Sequence, residues 1–140
     1  MKRILGIDYG DARTGISITD ALNITAQGLE TINNKGSDKV ILKRLDELFS
    51  IYEVDTIVIG RPINMNGTES ERTEITDKFN HKLKCKYNTL KIETIDERLT
   101  TVAAHKTMNL LDVNKYKKKN IVDTISAVYI LETYLNKIKV

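Results

Sequence analysis

Cysteine, proline and tryptophan are nearly missing from this chain. The one cysteine, Cys85, excludes an internal disulfide and has no companions for a thiolate zinc site. That usage fits a reducing cytoplasm. With a single proline, Pro62, and no tryptophan, nothing reads as a linker, a repeat or a low-complexity tract. No apolar run approaches the length that spans a membrane. The basic start Met1-Lys2-Arg3 leads into an apolar run that stops at Asp8, too short for a signal peptide. One-signed charge is scarce too. The balance of 22 Lys and Arg against 19 Asp and Glu leaves +3, too mild to signal nucleic-acid binding by itself. These absences point to an ordinary soluble protein of the cytoplasm. Its 140 residues suit a single domain, 1–140, with a good core.

What is present centres on residues 4–20, ILGIDYGDARTGISITD. Ile4-Leu5-Gly6-Ile7 reads as a buried strand, 9–13 as a tight turn, and 14–19 as an alternating second strand. Asp8 therefore emerges at the end of a buried strand. A carboxylate there needs a cation, a metal or a donor beside it. The simpler alternative, that Asp8 only ends the strand or caps its turn, is equally compatible with this stretch alone.

The remaining elements follow from periodicity. Residues 23–33 read as a third strand, weakened by Gly28. Residues 38–52 form an amphipathic helix on Val40, Ile41, Leu45, Leu48 and Phe49, capped by Ser37 or Asp38. DTIVIG (55–60) has the look of a strand buried on both faces, reached by a crossover. Pro62 and the Asn66-Gly67 pair shape a loop that ends near Thr68. A second helix spans 68–85, capped by Thr68 or Ser70, with Ile75, Phe79 and Leu83 inward. Residues 90–95 form a strand that runs into Asp96-Glu97-Arg98. A third helix starts at Thr100 or Thr101. A basic loop covers 112–120, and a last helix 121–138. The order βββ-α-β-α-β-α-α predicts an α/β fold, a mixed sheet flanked by helices on both faces.

Three acids share one property: Asp8, Glu97 and Asp123 all lie where buried structure ends. Asp123 heads a helical stripe with Ala127, Ile130 and Tyr134. A helix N-terminus favours an acid there, but that does not explain why the stripe is apolar. Strand ends are where open α/β sheets build ligand sites. Clustered carboxylates require a cation, and hard oxygen donors without Cys or His suit Mg²⁺ or Mn²⁺. Such ions support phosphodiester cleavage. His81 and His105 read as surface residues rather than as general acid–base groups. The lysines of 115–119, among them Lys117, Lys118 and Lys119, read equally as a solvated loop or as a grip on a phosphate backbone.

At these residues the chain resembles the YqgF/RuvX family, proteins provisionally assigned as pre-16S rRNA nucleases and related to Holliday junction resolvases. The matching stretches are GIDYGDARTGISITD (6–20), VIGRPINMNGTES (58–70), DERLTT (96–101) and IVDTISAVYILETYL (121–135). The resemblance implies an RNase H-like fold with a five-stranded mixed sheet. It implies Asp8, Glu97 and Asp123 as catalytic and metal-holding acids. It also puts Arg13, Arg98, Thr100 and the 60–67 loop, with Arg61 and Asn64, near the substrate. Arg61 and Ile63 depart from the pattern, where a more apolar and a more basic residue are expected, and Ser126-Ala127 replaces paired alanines.

Four functions are weighed. The first is a metal-dependent nuclease acting on the 5′ end of pre-16S rRNA. The second is a resolvase of branched DNA, which needs two coordinated cuts and so a homodimer. The third is a nucleic-acid-binding factor without turnover. The fourth, an actin-like phosphotransferase, needs a second domain and a second glycine-rich phosphate loop that the chain lacks.

Overall fold

Alternation sorts the apolar side chains onto two faces of one sheet. The computed structural model describes residues 2–99 and 115–138, with the backbone alone at 99 and 115–123. Strands β1 (Arg3–Asp8), β2 (Arg13–Thr19), β3 (Ala26–Asn33), β4 (Val54–Arg61) and β5 (Lys91–Asp96) pair in the order β3-β2-β1-β4-β5. β1, β2 and β3 are antiparallel neighbours, and β4 and β5 join in parallel. β1 is thus the central strand, and the sheet is the expected five-stranded mixed one.

Helices α1 (Asp38–Ile51) and α2 (Glu71–Lys86) cover one face. Leu5, Ile7, Ile57 and Ile59 meet Ile41, Leu45, Leu48, Phe79 and Leu83 there, all at most 1% exposed. Each such side chain contributes about 1.5–3 kcal/mol by leaving water. The other face packs Ile4, Val58 and Ile95 against Ile130, Leu131, Tyr134 and Leu135 of α3 (Lys115–Ile138). β4 is buried on both faces, as its continuous apolar run predicts.

Helix α3 crosses the sheet at close range. A Cβ at Gly28 would lie 2.2 Å from a methyl of Thr124, and one at Gly6 would lie 3.0 Å from the Ala127 carbonyl oxygen. The Ser17 hydroxyl donates to that same carbonyl at 2.7 Å. Gly28, which reads as a weak point of β3, is therefore where a helix approaches the strand.

Several boundaries differ from expectation. β3 starts at Ala26, because the Asp20 carboxylate accepts from the amides of Ile24 and Thr25, at 2.7 and 3.0 Å, and holds 20–25 as a turn. Ser37 occupies the N-cap of α1 without a side-chain bond. The Asp38 carboxylate accepts instead from Tyr9 and Lys82. Val40 is exposed rather than buried. α2 starts after Ser70, whose capping box with Thr73 settles the choice between Thr68 and Ser70. Gly67 takes the positive φ its turn requires. The expected basic loop is corrected over 115–120, which form the first turns of α3. Lysine is a good helix former, and a lysine run carries no helix-breaking signal. The third helix expected from Thr100 or Thr101, with His105, lies outside the described residues.

Candidate active site

Asp8 closes β1, opposite Gly15 of β2. On its other side β4 pairs in parallel, Ile7 with Ile59, so the next residue beside Asp8 is Gly60. The missing Cβ of Gly6 faces Ala127 and Leu131 of α3. Two residues on, Asp8 points to the same α3 face. Alternation from Ser17, bonded to Ala127, puts Arg13 on that face too.

Glu97 reaches the same spot from β5. Its Cγ and Cδ lie 2.7 and 2.9 Å from where a Cβ of Gly60 would stand, next to the Ile130 methyl at 2.5 Å. Its carboxyl group therefore lies over the backbone of β4. Asp8 leaves from the adjacent strand, one strand spacing of about 4.8 Å away. The DER sequence separates its acids by face. Asp96 turns away from α3 and accepts from Arg98, from its amide at 3.0 Å and from its guanidinium at 2.6 and 2.9 Å. Those bonds hold Asp96 below the usual carboxylate range. Glu97 is left to cross over Gly60.

Helix α3 runs antiparallel to β1. Thr124 shares a hydrogen bond with Thr31 near the end of β3, and Leu135 lies beside Ala26 at its start. Ala127 sits over Gly6. Four residues back along the helix, about 6 Å, correspond to the two residues, about 6.6 Å, from Gly6 to Asp8. The backbone of residue 123 is thus level with Asp8. It also stands two turns inside α3, not at its head. The helix-dipole explanation for an acid at 123 falls away, because that effect is confined to the first turn. The side chains of Asp123, Lys117, Lys118 and Lys119 lie outside the described ones, as does Thr100.

The turn after Asp8 is braced from within. Buried Asn34 donates to the carbonyls of Gly10 and Asp11, at 3.1 and 2.8 Å, and accepts from the Thr14 hydroxyl at 3.1 Å. Tyr9 stacks on Phe79, with centroids 4.3 Å apart, and donates to Asp38 at 2.6 Å. Burial first, and then Asp38, push the Tyr9 hydroxyl well above its ordinary pKa. No sequence signal singles out Asn34, which stands in an apparent turn. Gly60 likewise reads as a mere strand terminus.

The other expected substrate contacts divide. Arg61, one residue past Gly60, points to the opposite face. It grips both oxygens of Asp77 at 3.0 and 2.9 Å and also pairs with Glu69. Asp77 is lowered in pKa chiefly by that bond. An open groove of about 470 Å³ lies there, lined by Arg61, Asp77, Asn80, His81, Lys84 and Thr94. It and the exposed His81 are across the sheet from the acids. Asn64 donates to Thr68 at 3.1 Å within its own loop. Gly67 of that loop lies beside the Arg98 guanidinium, 3.5 Å from its Cβ position. The loop and the DER turn thus meet at the same end of the sheet.

Carboxylate oxygens at a strand end, with room made for one of them by a glycine, fit a hard divalent cation such as Mg²⁺ or Mn²⁺. Among the described residues no three acid, His or Cys side chains form a ligand cluster. Asp8 and Glu97 are the two described members of the expected set. No helix among the described residues is long and apolar enough to cross a membrane.

Comparison with known proteins agrees with this architecture. The relative from Ruminiclostridium cellulolyticum, provisionally named pre-16S rRNA nuclease, is 54% identical over 138 residues, 97% of this chain and 95% of its own length. The similarly named relative from Acetivibrio thermocellus is 49% identical over 134 residues, 96% and 95% of the two chains. Among solved structures, Thermus thermophilus RuvC in complex with a Holliday junction substrate superposes with a TM-score of 0.61 at 11% identity, covering 98% and 96% of the two chains. The fowlpox virus Holliday junction resolvase gives 0.59 at 12%, covering 97% and 99%. Those two likenesses establish the fold, RNase H-like as resolvases of this kind are. The family model described as RuvX, Holliday junction resolvase, matches residues 2–137, so the chain belongs to the RuvX family.

Proposed function

We propose that this protein is a nuclease that uses Mg²⁺ or Mn²⁺ to hydrolyse phosphodiester bonds at the 5′ end of pre-16S rRNA. The observation that supports this reading is the Glu97 side chain lying over Gly60, on the strand beside Asp8 and on the face crossed by α3. Asp123 completes the set from the helix. The names of relatives about half identical to the chain over nearly its whole length supply the RNA.

In this reading Asp8, Glu97 and Asp123 hold the cation, which when bound lowers the pKa of a water and stabilises the departing oxygen. The chain does the positioning. Arg13 shares the face of Asp8 and bears on the phosphate. Arg98 fixes the DER turn through Asp96 and, with the 60–67 loop, borders the entry for the strand. In the same reading Thr100 and the lysines 117–119 contact the substrate as well. The lysine run now belongs to the start of α3, the helix that carries Asp123. The β1–β2 turn, locked by Asn34, keeps Asp8 from swinging away.

The test uses purified protein with Mn²⁺ or Mg²⁺, a labelled pre-rRNA 5′ fragment and a synthetic four-way DNA junction. Asp8→Asn, Glu97→Gln and Asp123→Asn run beside wild type. Cutting of RNA by wild type alone, lost by at least about 100-fold in each variant, is the expected result. Symmetric nicking of the junction by a dimer would move the reading to a resolvase. Binding of both substrates with no metal-dependent cutting would leave a non-catalytic factor.

A further inference from the structure

The geometry points to Gly60 as a positioning residue that seats the Glu97 carboxylate beside Asp8. This rests on the reading of Glu97 as a cation-holding acid. Gly60 sits in the interior strand β4, paired with Ile95 of β5 and flanked by fully buried Ile59. Glycine there costs strand stability. Its backbone is not in the left-handed region, which among the glycines is taken by Gly36 and Gly67. Conformational freedom is therefore not the reason for it. Space is. The volume a Cβ would fill already holds Cγ and Cδ of Glu97, at 2.7 and 2.9 Å, and the Ile130 Cδ1 methyl at 2.5 Å. Ordinary carbon contacts need about 3.5–4.0 Å.

An added methyl must displace something by about 1 Å. The strand cannot retreat, because Ile57 and Ile59 fill its other side in the closed core. Both obstructing groups are ends of flexible side chains, so they move and the sheet stays. Glu97 then leaves the position next to Asp8. A shift of that size at a reacting centre costs about 100-fold in rate. Packing with Ile130 alone would also explain the glycine. It is separated by the substitution Ile130→Val, which removes the Cδ1 methyl and leaves Glu97 as the nearest obstruction.

Four proteins decide the matter: Ile130→Val, Gly60→Ala/Ile130→Val, Glu97→Gln, and Gly60→Ala/Ile130→Val with Glu97→Asp. Each is measured for melting temperature, for Mn²⁺ affinity by the electron paramagnetic resonance of free Mn²⁺, and for RNA cleavage. The expected double variant melts within a few degrees of Ile130→Val, binds Mn²⁺ at least about tenfold more weakly and cleaves about 100-fold more slowly. Glu97→Asp, shorter by one methylene, should restore part of its Mn²⁺ affinity, which a merely structural role for Gly60 would not produce. Wild-type affinity and cleavage in the double variant, with both lost in Glu97→Gln, would overturn the assignment and leave the nuclease reading standing. Unchanged affinity and cleavage in Glu97→Gln would overturn the reading beneath it, and the assignment with it.

Discussion

Asn34 satisfies two main-chain carbonyls and one hydroxyl at the turn that follows Asp8. Asn34→Ala removes three hydrogen bonds from the turn, while the Asp11 carbonyl keeps the Gly36 amide and the Gly10 carbonyl keeps the Thr14 hydroxyl. That costs about 1–3 kcal/mol, read as a lower urea midpoint at unchanged slope. Arg61 invites a different expectation. Its fork is already committed to Asp77 and Glu69, and its side chain is 30% exposed. Arg61→Ala should cost about 1 kcal/mol or less of stability. It should change the KM for RNA less than twofold, because the guanidinium faces away from Asp8 and Glu97.

Two elements position the site, and each hangs on a local device. α2 begins at the Ser70–Thr73 capping box, which pins the helix to the end of the 60–67 loop. Ser70→Ala should lower stability by about 1 kcal/mol, measured by thermal or urea unfolding. α3 is held to the sheet by the Ser17–Ala127 bond over Gly6. In Gly6→Ala the new Cβ would stand 2.3 Å from the Ser17 oxygen and 3.0 Å from the Ala127 carbonyl oxygen of the helix. The helix must lift, at about 1–3 kcal/mol. Residue 123 rides on that helix, so cleavage per folded molecule should fall as well. That fall separates lifting of the helix from simple instability.

The molecule as a whole has a pH window set by its ion pairs and buried phenols. Asp96 and Asp77 are lowered in pKa chiefly by hydrogen bonds from Arg98 and Arg61, and Asp46 chiefly by one from Lys86. A carboxyl group lowered on folding contributes stability above its unfolded pKa, about 3.9. That contribution is lost as pH falls through the folded value. Tyr9 and Tyr87 are raised, first by burial and then by Asp38 and Asp46. They favour the folded state while protonated, and that advantage is lost above about pH 10, the ordinary phenol pKa. Unfolding free energy measured against pH should therefore form a plateau from about pH 5 to 9 and fall on both sides. RNA binding should weaken with added salt, as a phosphate-gripping surface requires.

The order of the described elements, and the place of Asp8 and Glu97 at strand ends, were legible from local pattern. Period-two alternation, apolar runs bounded by turn residues and 3.6-residue stripes depend on neighbours a few positions apart. Asp8 and Glu97 announce themselves because each follows an apolar strand. The sheet order β3-β2-β1-β4-β5 follows from hairpins and crossovers. Other features rest on contacts between distant segments. Gly60 gains its meaning only when Glu97, from another strand, occupies the volume beside it. Asn34 does so only when the β1–β2 turn folds back onto it. Adjacent Gly60 and Arg61 look alike as strand-end residues. Packing of α3 on one face and α2 on the other sends one toward the acids and the other away from them. A run of lysines carries no apolar stripe to mark it as helix. Only its continuity with α3, anchored on the sheet from Thr124 onward, made it one.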